Sequence, residues 1–244
     1  MEPWKERTAL MFGEDGLRSI EKSSAIVVGV GGVGSAAAEM LVRAGIGELA
    51  IVDSDEVSRT NINRQLIALN STVSRPKVDV LRERLLDINP ELQLSVVPEY
   101  VCEDNAAEIL SRFPADSYVV DAIDTLSPKI ALICACLERG MTLVSAMGAG
   151  AKVDATAVRI ADISKTRECP LAHQLRKRLH RLGINRGFAA VYSEERPRTE
   201  AMVLEESRNK KSQVGTVSYL PVVFGCVCAQ YVIGRIVGTD ENCR

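Results

Sequence analysis

Ala25-Ile26-Val27-Val28-Gly29-Val30-Gly31-Gly32-Val33-Gly34-Ser35-Ala36-Ala37-Ala38 is the stretch that decides how this chain folds. A short apolar run of strand length passes through a glycine-rich turn into an alanine-rich segment that favours helix. Glycines at such a junction let the backbone approach a phosphate closely, and the helix that follows offers free N–H groups and the positive end of its dipole. Gly29, Gly31, Gly32 and Gly34 are therefore candidate nucleotide-binding positions. Tight packing of strand on helix would select the same residues, so context has to decide. It favours a nucleotide, because Asp53 closes the next apolar run about twenty positions on, where an acidic residue meets a ribose hydroxyl.

Working outward, apolar runs at 25–30, 49–53, 92–97, 118–123 and 142–146 read as strands. Helix-period segments at 35–44, 76–88, 105–113 and 128–139 lie between them. Strand and helix in regular alternation predict an α/β fold, a doubly wound, mostly parallel, Rossmann-like sheet. Ser127 is expected to cap a helix whose first residue is Pro128, with Gly140 closing it in a left-handed conformation. After Asp162 the pattern changes to a basic amphipathic helix, an extended segment at 189–193, a polar stretch at 194–213 expected to be a mobile loop, and an apolar helix at 221–237. The expected organisation is an N-terminal segment (1–24), a nucleotide-binding domain (25–163) and a C-terminal extension (164–244) that binds substrate and supports a dimer. The apolar helix reads as a buried core helix, with a dimer interface or a membrane surface as the lesser reading.

Composition narrows the class. The 244 residues are 46% apolar and 25% charged but only 4% aromatic, the balance of a soluble α/β protein with an aliphatic core. A net charge of -2 argues against nucleic-acid binding through overall charge, so any such contact must be local. Seven cysteines, an odd number in a chain without a signal-like start, point to a reducing, cytoplasmic setting. No run is expected to span a membrane, since 221–237 is interrupted by Gln230 and Arg235.

The segment after Asp53 argues against a nicotinamide dehydrogenase. It reads Asp55-Glu56-Val57-Ser58-Arg59-Thr60-Asn61-Ile62-Asn63-Arg64-Gln65, then Arg75-Pro76-Lys77. A triphosphate being cleaved needs cations near its outer phosphates, and Arg64 and Lys77 are placed to supply them beyond the carboxyl end of a strand. Asp121-Ala122-Ile123-Asp124 occupies the matching position after the fourth strand. Asp124, the outermost, is the candidate magnesium ligand, while Asp121 reads as structural because it lies inside a buried strand.

The motifs at 29–35, 51–55, 60–65, 75–77 and 121–124 resemble, in order and spacing, those of the ThiF/MoeB-like adenylyltransferases. The resemblance implies that ATP is the cofactor, that Asp53 holds its ribose and Arg64 and Lys77 its phosphates, and that Asp124 holds magnesium. Asp55, Asn61, Asn63 and Gln65 belong to the same nucleotide-binding motifs. Arg7 resembles the arginine that reaches the phosphates of a neighbouring protomer, which implies a homodimer. Within the family, members serving sulfur carriers commonly bind zinc through two Cys-x-x-Cys pairs. Here Cys134/Cys136 and Cys226/Cys228 are two apart within helices and point to different faces, so no structural zinc is expected. Segments 145–150, 162–166, 169–172 and 191–195 resemble the tRNA threonylcarbamoyladenosine dehydratase branch. That resemblance implies activation of a threonyl carboxylate on tRNA, and sulfur-transfer proteins as further partners. The competing readings are an adenylyltransferase for a sulfur-carrier protein and a nucleotide-binding regulator without catalysis.

An RNA substrate directs attention to 165–186, where seven basic residues face the single acid Glu168. Leu171, Leu175, Leu179 and Leu182 recur at helical spacing and are expected to face the core, turning Lys177, His180 and Arg181 outward. Arg176, Lys177 and Arg181 are the candidate nucleic-acid contacts. His173 and His180 read as solvated or phosphate-facing. Cys169 has no general base beside it in sequence and is not expected to act as a nucleophile.

Overall fold

The computed structural model of the chain describes residues 2–204 and 212–239. Valine, isoleucine and alanine dominate the short runs, and such residues buried on both faces suit a parallel sheet covered by helices. The strands are β1 (Ser24–Val28), β2 (Glu48–Val52), β3 (Gln93–Val97), β4 (Tyr118–Asp121), β5 (Leu143–Ala146), β6 (Val158–Asp162) and β7 (Ala189–Ser193). They form one sheet in the order β3-β2-β1-β4-β5-β7-β6, parallel throughout except that β6 runs antiparallel to β7. The expected doubly wound α/β architecture is present. The order reverses between β1 and β4, the switch point at which open α/β sheets form a ligand crevice beyond the strands' carboxyl ends.

Successive β1 residues point to opposite faces and divide the core in two. Ala25 and Val27 join one cluster with helices α1 (Glu6–Glu21), α2 (Gly34–Ala44), α3 (Lys77–Ile88) and α7 (Leu220–Val237). Ile26 and Val28 join the other with α4 (Ala106–Ser111), α5 (Leu126–Glu138) and α6 (Pro170–Arg181). By length and composition α7 is apolar enough to cross a membrane. Its Leu220, Phe224, Cys228 and Val232 are instead buried in the first cluster.

Several boundaries differ from the sequence reading. β1 ends at Val28 rather than residue 30 because Gly29 turns the chain with φ +85°. β4 stops at Asp121 rather than 123, where the Asp121 carboxylate accepts the Ile123 N–H. Ser127 does not cap α5: the helix begins at Leu126, and Pro128 falls in its first turn, where a missing N–H leaves no intrahelical bond unmade. Gly140 does close that helix, with φ +68°. Leu182 is 58% exposed, since α6 ends one residue earlier, whereas Ala172, Leu175 and Leu179 are buried and Leu171 packs partly buried against the same cluster.

The sheet runs through the boundary drawn at 163/164, because β7 lies between β5 and β6. The polar stretch expected to be a loop carries a 3-10 turn at Thr199–Ala201 and an antiparallel pair, β8 (Met202–Leu204) with β9 (Ser212–Val214). The remainder of that expected loop, 205–211, lies outside the described residues, as does Cys243.

Candidate active site

At the crevice two turns press together. A Cβ on Gly29 would lie 2.9 Å from the Ala122 carbonyl oxygen, and one on Gly34 only 1.7 Å from the Gly29 carbonyl oxygen. A Cβ on Gly32 would meet Pro221 at 2.9 Å. Packing therefore requires these three glycines whether or not a ligand binds. Gly31 differs, for the nearest atom to its Cβ would be the Gln65 side-chain nitrogen at 3.4 Å. That is an ordinary contact with a side chain, so packing alone does not demand a glycine there. Ser35, fully buried, ties the loop by donating from Oγ to the Gly31 carbonyl at 2.6 Å.

Asp53 stands beside this loop. Its carboxylate accepts the Val30 N–H and the Asp55 N–H, each at 2.8 Å. Burial pushes its carboxyl up from the ordinary aspartate value, against the pull of the Lys77 charge and of those two N–H groups. Each oxygen keeps a further lone pair for a hydroxyl donor. Lys77 is 94% buried at the start of α3 and donates to Asp55 Oδ2 at 2.7 Å. Asp53, Asp55 and Lys77 thus share one corner, and the Lys77 ammonium retains two more N–H groups.

Residues 60–65 run along the outer side of the glycine loop. Arg64 is half-buried and donates to the Thr60 carbonyl at 2.9 Å and to Asn63 Oδ1 at 2.8 Å, which presets its guanidinium. Asn61 caps the 3-10 turn at Arg59–Asn61 by accepting the Ser58 N–H. Asn63 donates to the Thr216 carbonyl at 2.9 Å, tying this segment to the chain leaving β9. Gln65 is 91% buried beside Gly31, and among the described residues its Oε1 has no hydrogen-bond partner. An acceptor left unsatisfied in the interior costs about 1–3 kcal/mol.

After β4, Asp121 is fully buried and ion-paired to Lys129, also fully buried, at 2.7 Å. Ser145 donates to the same carboxylate oxygen at 2.6 Å. Asp121 is structural, as its place in an apolar strand implied, and Asp124 projects exposed from the following turn. Arg7 lies exposed in the first turn of α1. Among the described residues no three His, Cys, Asp or Glu side chains cluster as a metal site.

Sequence reasoning missed two buried lysines. Lys129 follows a proline in a helix, and Lys152 follows a run of glycine and alanine, so neither carries a local signal. Lys152 is 98% buried and donates to the carbonyls of Ser193 at 2.7 Å and Glu168 at 3.0 Å. Burial lowers its pKa. It joins the end of β7 to the approach of α6. Nearby, Ala151 donates its N–H to the Gly215 carbonyl and Tyr219 its hydroxyl to the Val153 carbonyl. The chain flanking β8 and β9 therefore closes over the loop that follows β5.

On α6, Arg176 is pinned to the Thr166 carbonyl at 2.9 Å and to its hydroxyl, so it staples the preceding turn. Lys177 and Arg181 are exposed, as are His173 and His180.

Comparison with known proteins agrees with this geometry. The model of the ThiF family matches residues 6–244. A tRNA threonylcarbamoyladenosine dehydratase of Bacillus subtilis is 39% identical over 175 residues, 67% of this chain and 66% of that protein. The Escherichia coli protein of the same name is 36% identical over 68% of each. In both alignments the chain spans about two thirds of the relative's length. The crystal structure of E. coli TcdA in complex with ATP superposes with a TM-score of 0.88 at 35% identity, covering 98% of this chain and 96% of that one. A family match over nearly the whole length, a shared fold and the loops meeting at the β1/β4 crevice agree: the chain belongs to the ThiF family.

Proposed function

We propose that this chain uses ATP to adenylate the threonyl carboxylate of threonylcarbamoyladenosine in tRNA, driving ring closure with net loss of water, the dehydratase reaction for which its relatives are named. One observation carries the nucleotide part. Asp53, Lys77 and the backbone of Gly31 lie together beyond the carboxyl ends of β1 and β2, beside the N-terminus of α2.

A free carboxylate is a poor acyl donor. Attack of its oxygen on the α-phosphorus of ATP releases pyrophosphate and leaves an acyl-adenylate, whose acyl carbon an atom of the substrate itself then attacks with AMP departing. No protein nucleophile is required. The residues position and neutralise: Gly31 and the start of α2 receive phosphate oxygens, Asp53 accepts a ribose hydroxyl, and Arg64 and Lys77 face charge growing on pyrophosphate. Asp55, Asn61, Asn63 and Gln65 complete the nucleotide-binding segment, with Asp55 holding Lys77 and Asn63 orienting Arg64. Asp124 would hold a magnesium ion, which neutralises phosphate charge when bound. One exposed carboxylate together with phosphate oxygens and water suits that ion. Structural zinc has no part in this reading, because each cysteine pair lies within one helix.

Lys177 and Arg181 take the tRNA backbone, with Arg176 holding the turn beneath them. Two copies associate through α1, whose Arg7 reaches the partner's phosphates and whose exposed Leu10 and Met11 offer apolar surface. Sulfur-transfer proteins are further partners, and the setting is cytoplasmic. ATP–pyrophosphate exchange with threonylcarbamoyladenosine-bearing tRNA tests the assignment. Arg64→Ala and Lys77→Ala should each slow it about 100-fold, the usual effect of losing one preorganised donor. Wild-type exchange in both variants would overturn the phosphate roles, and exchange supported by a sulfur-carrier protein but not by tRNA would overturn the substrate.

A further inference from the structure

Beside the exposed face of α6 lies a groove of about 340 Å³ that the adenylation chemistry does not use. Its floor follows from how the helix ends. The Ile184 N–H bonds the Leu179 carbonyl and the Gly183 N–H bonds the His180 carbonyl, with Gly183 at φ +79°. This 6→1 and 5→2 pairing brings Ile184 back against Leu179, the apolar contact that usually accompanies such a cap. Ile163 and Leu179, each 99% buried, back this apolar floor from beneath Ile184. His173, Lys177 and His180 stand along the rim at i, i+4 and i+7, one face of the helix.

The groove is remote from the glycine loop. β6 runs antiparallel to β7, so Asp162 pairs with Ala189 at the far end of the sheet, and Ile163 follows it. Twelve helical residues span about 18 Å, so the end of α6 lies that far from its start near Gly148. The target adenosine cannot occupy both places.

We propose that this groove receives a second, unstacked nucleotide of the tRNA, its base against Ile184 between the imidazoles of His173 and His180, its phosphate toward Lys177. The inference rests on the tRNA reading above. Three features commit it to a nucleotide of single-stranded RNA. The floor is apolar and the rim carries aromatic rings, which together suit a base face. The surrounding charge is cationic: of the acids nearby, Glu168 is ion-paired to Arg196, and Asp162 is engaged by the N–H groups of Ser164 and Gly187. The groove is also open and of a size that admits one base.

Stacking and phosphate contact leave different signatures. A stacked base contributes affinity that is insensitive to salt, whereas each phosphate contact adds to the slope of log K against log salt. The probe is the threonylcarbamoyladenosine-bearing tRNA with full-length protein, its affinity measured at several salt concentrations. His173→Ala with His180→Ala should weaken binding about 5- to 100-fold with an unchanged slope. His173→Phe with His180→Phe should retain binding, because the ring and not its charge makes the contact. Both pairs are exposed, and unchanged ATP affinity reports an intact fold. Wild-type affinity in the alanine pair, equal loss in the phenylalanine pair, or a slope that falls with the alanine pair would each overturn the proposal. Failure of the dehydratase reading shows separately, as wild-type protein that neither binds this tRNA nor consumes ATP with it.

Discussion

Replacing Lys129 by methionine asks how firmly the floor of the crevice is held. Asp121 and Lys129 are both fully buried and 2.7 Å apart. The carboxylate also accepts from Ser145 Oγ at 2.6 Å and from the Ile123 N–H at 3.1 Å. Methionine keeps most of the side-chain volume, so little cavity forms. It removes the only countercharge among those partners and leaves the carboxylate with two neutral donors. An uncompensated buried charge of this kind typically costs about 3–5 kcal/mol. For a domain of this size each kcal/mol moves the midpoint by about 2–4 °C, so Lys129→Met should lower Tm by roughly 6–20 °C. Asp121→Asn in the same chain removes the stranded charge, and the double variant should recover much of the loss in a double-mutant cycle. ATP affinity of the folded single variant should also fall, because Asp121 shapes the turn that presents Asp124. Thermal and urea unfolding at pH 7 measure the first effects, and calorimetric titration with ATP the last. A shift in Tm below about 2 °C, or single-variant losses that simply add, would refute the reasoning.

The glycines separate packing from binding. Gly34→Ala should abolish soluble folded protein, since its Cβ would sit 1.7 Å from a carbonyl oxygen, whereas Gly31→Ala should fold with a near-native Tm yet bind ATP more weakly. A stable Gly34→Ala, or unaltered ATP affinity in Gly31→Ala, would contradict the division. Acid stability should report on Glu39. Burial pushes its carboxyl up, but hydrogen bonds and charge from Arg84 and Arg43 prevail and hold it below the ordinary value of 4.5. A depressed folded-state pKa adds stability above the unfolded-state value and loses it as pH falls through the folded one. Arg84→Gln should therefore cost about 1 kcal/mol at pH 7, a gap that narrows below pH 4.5 in urea unfolding. An equal gap at pH 7 and well below that value would count against the coupling.

How much of this was legible in advance depended on the range of the interaction. The strands and helices of 25–146 were readable to within about two residues, because hydrophobic period and glycine turns act over neighbours in the chain. Asp121 could be recognised as structural from its apolar surroundings, yet nothing local marked Lys129 as its partner. Leu182 matched the helical period but fell beyond the helix, since Gly183 stops α6 in a left-handed turn that periodicity does not register. Arg176 looked like its neighbours Lys177 and Arg181, and only its bond to Thr166 distinguishes a staple from a free surface charge.

The sequence by itself determined the class of fold, the glycine loop opening a helix, the acid that follows the second strand and the cations beyond it. All of these are signals carried by residues close in the chain. The tertiary structure alone decided that β7 inserts between β5 and β6, that the buried Gln65 turns its side-chain nitrogen toward Gly31, and that Asn63 meets Thr216 across 153 residues. The reason is physical: propensity and period act through the backbone of adjacent residues, whereas a buried polar group finds its partner only where packed elements bring distant segments together.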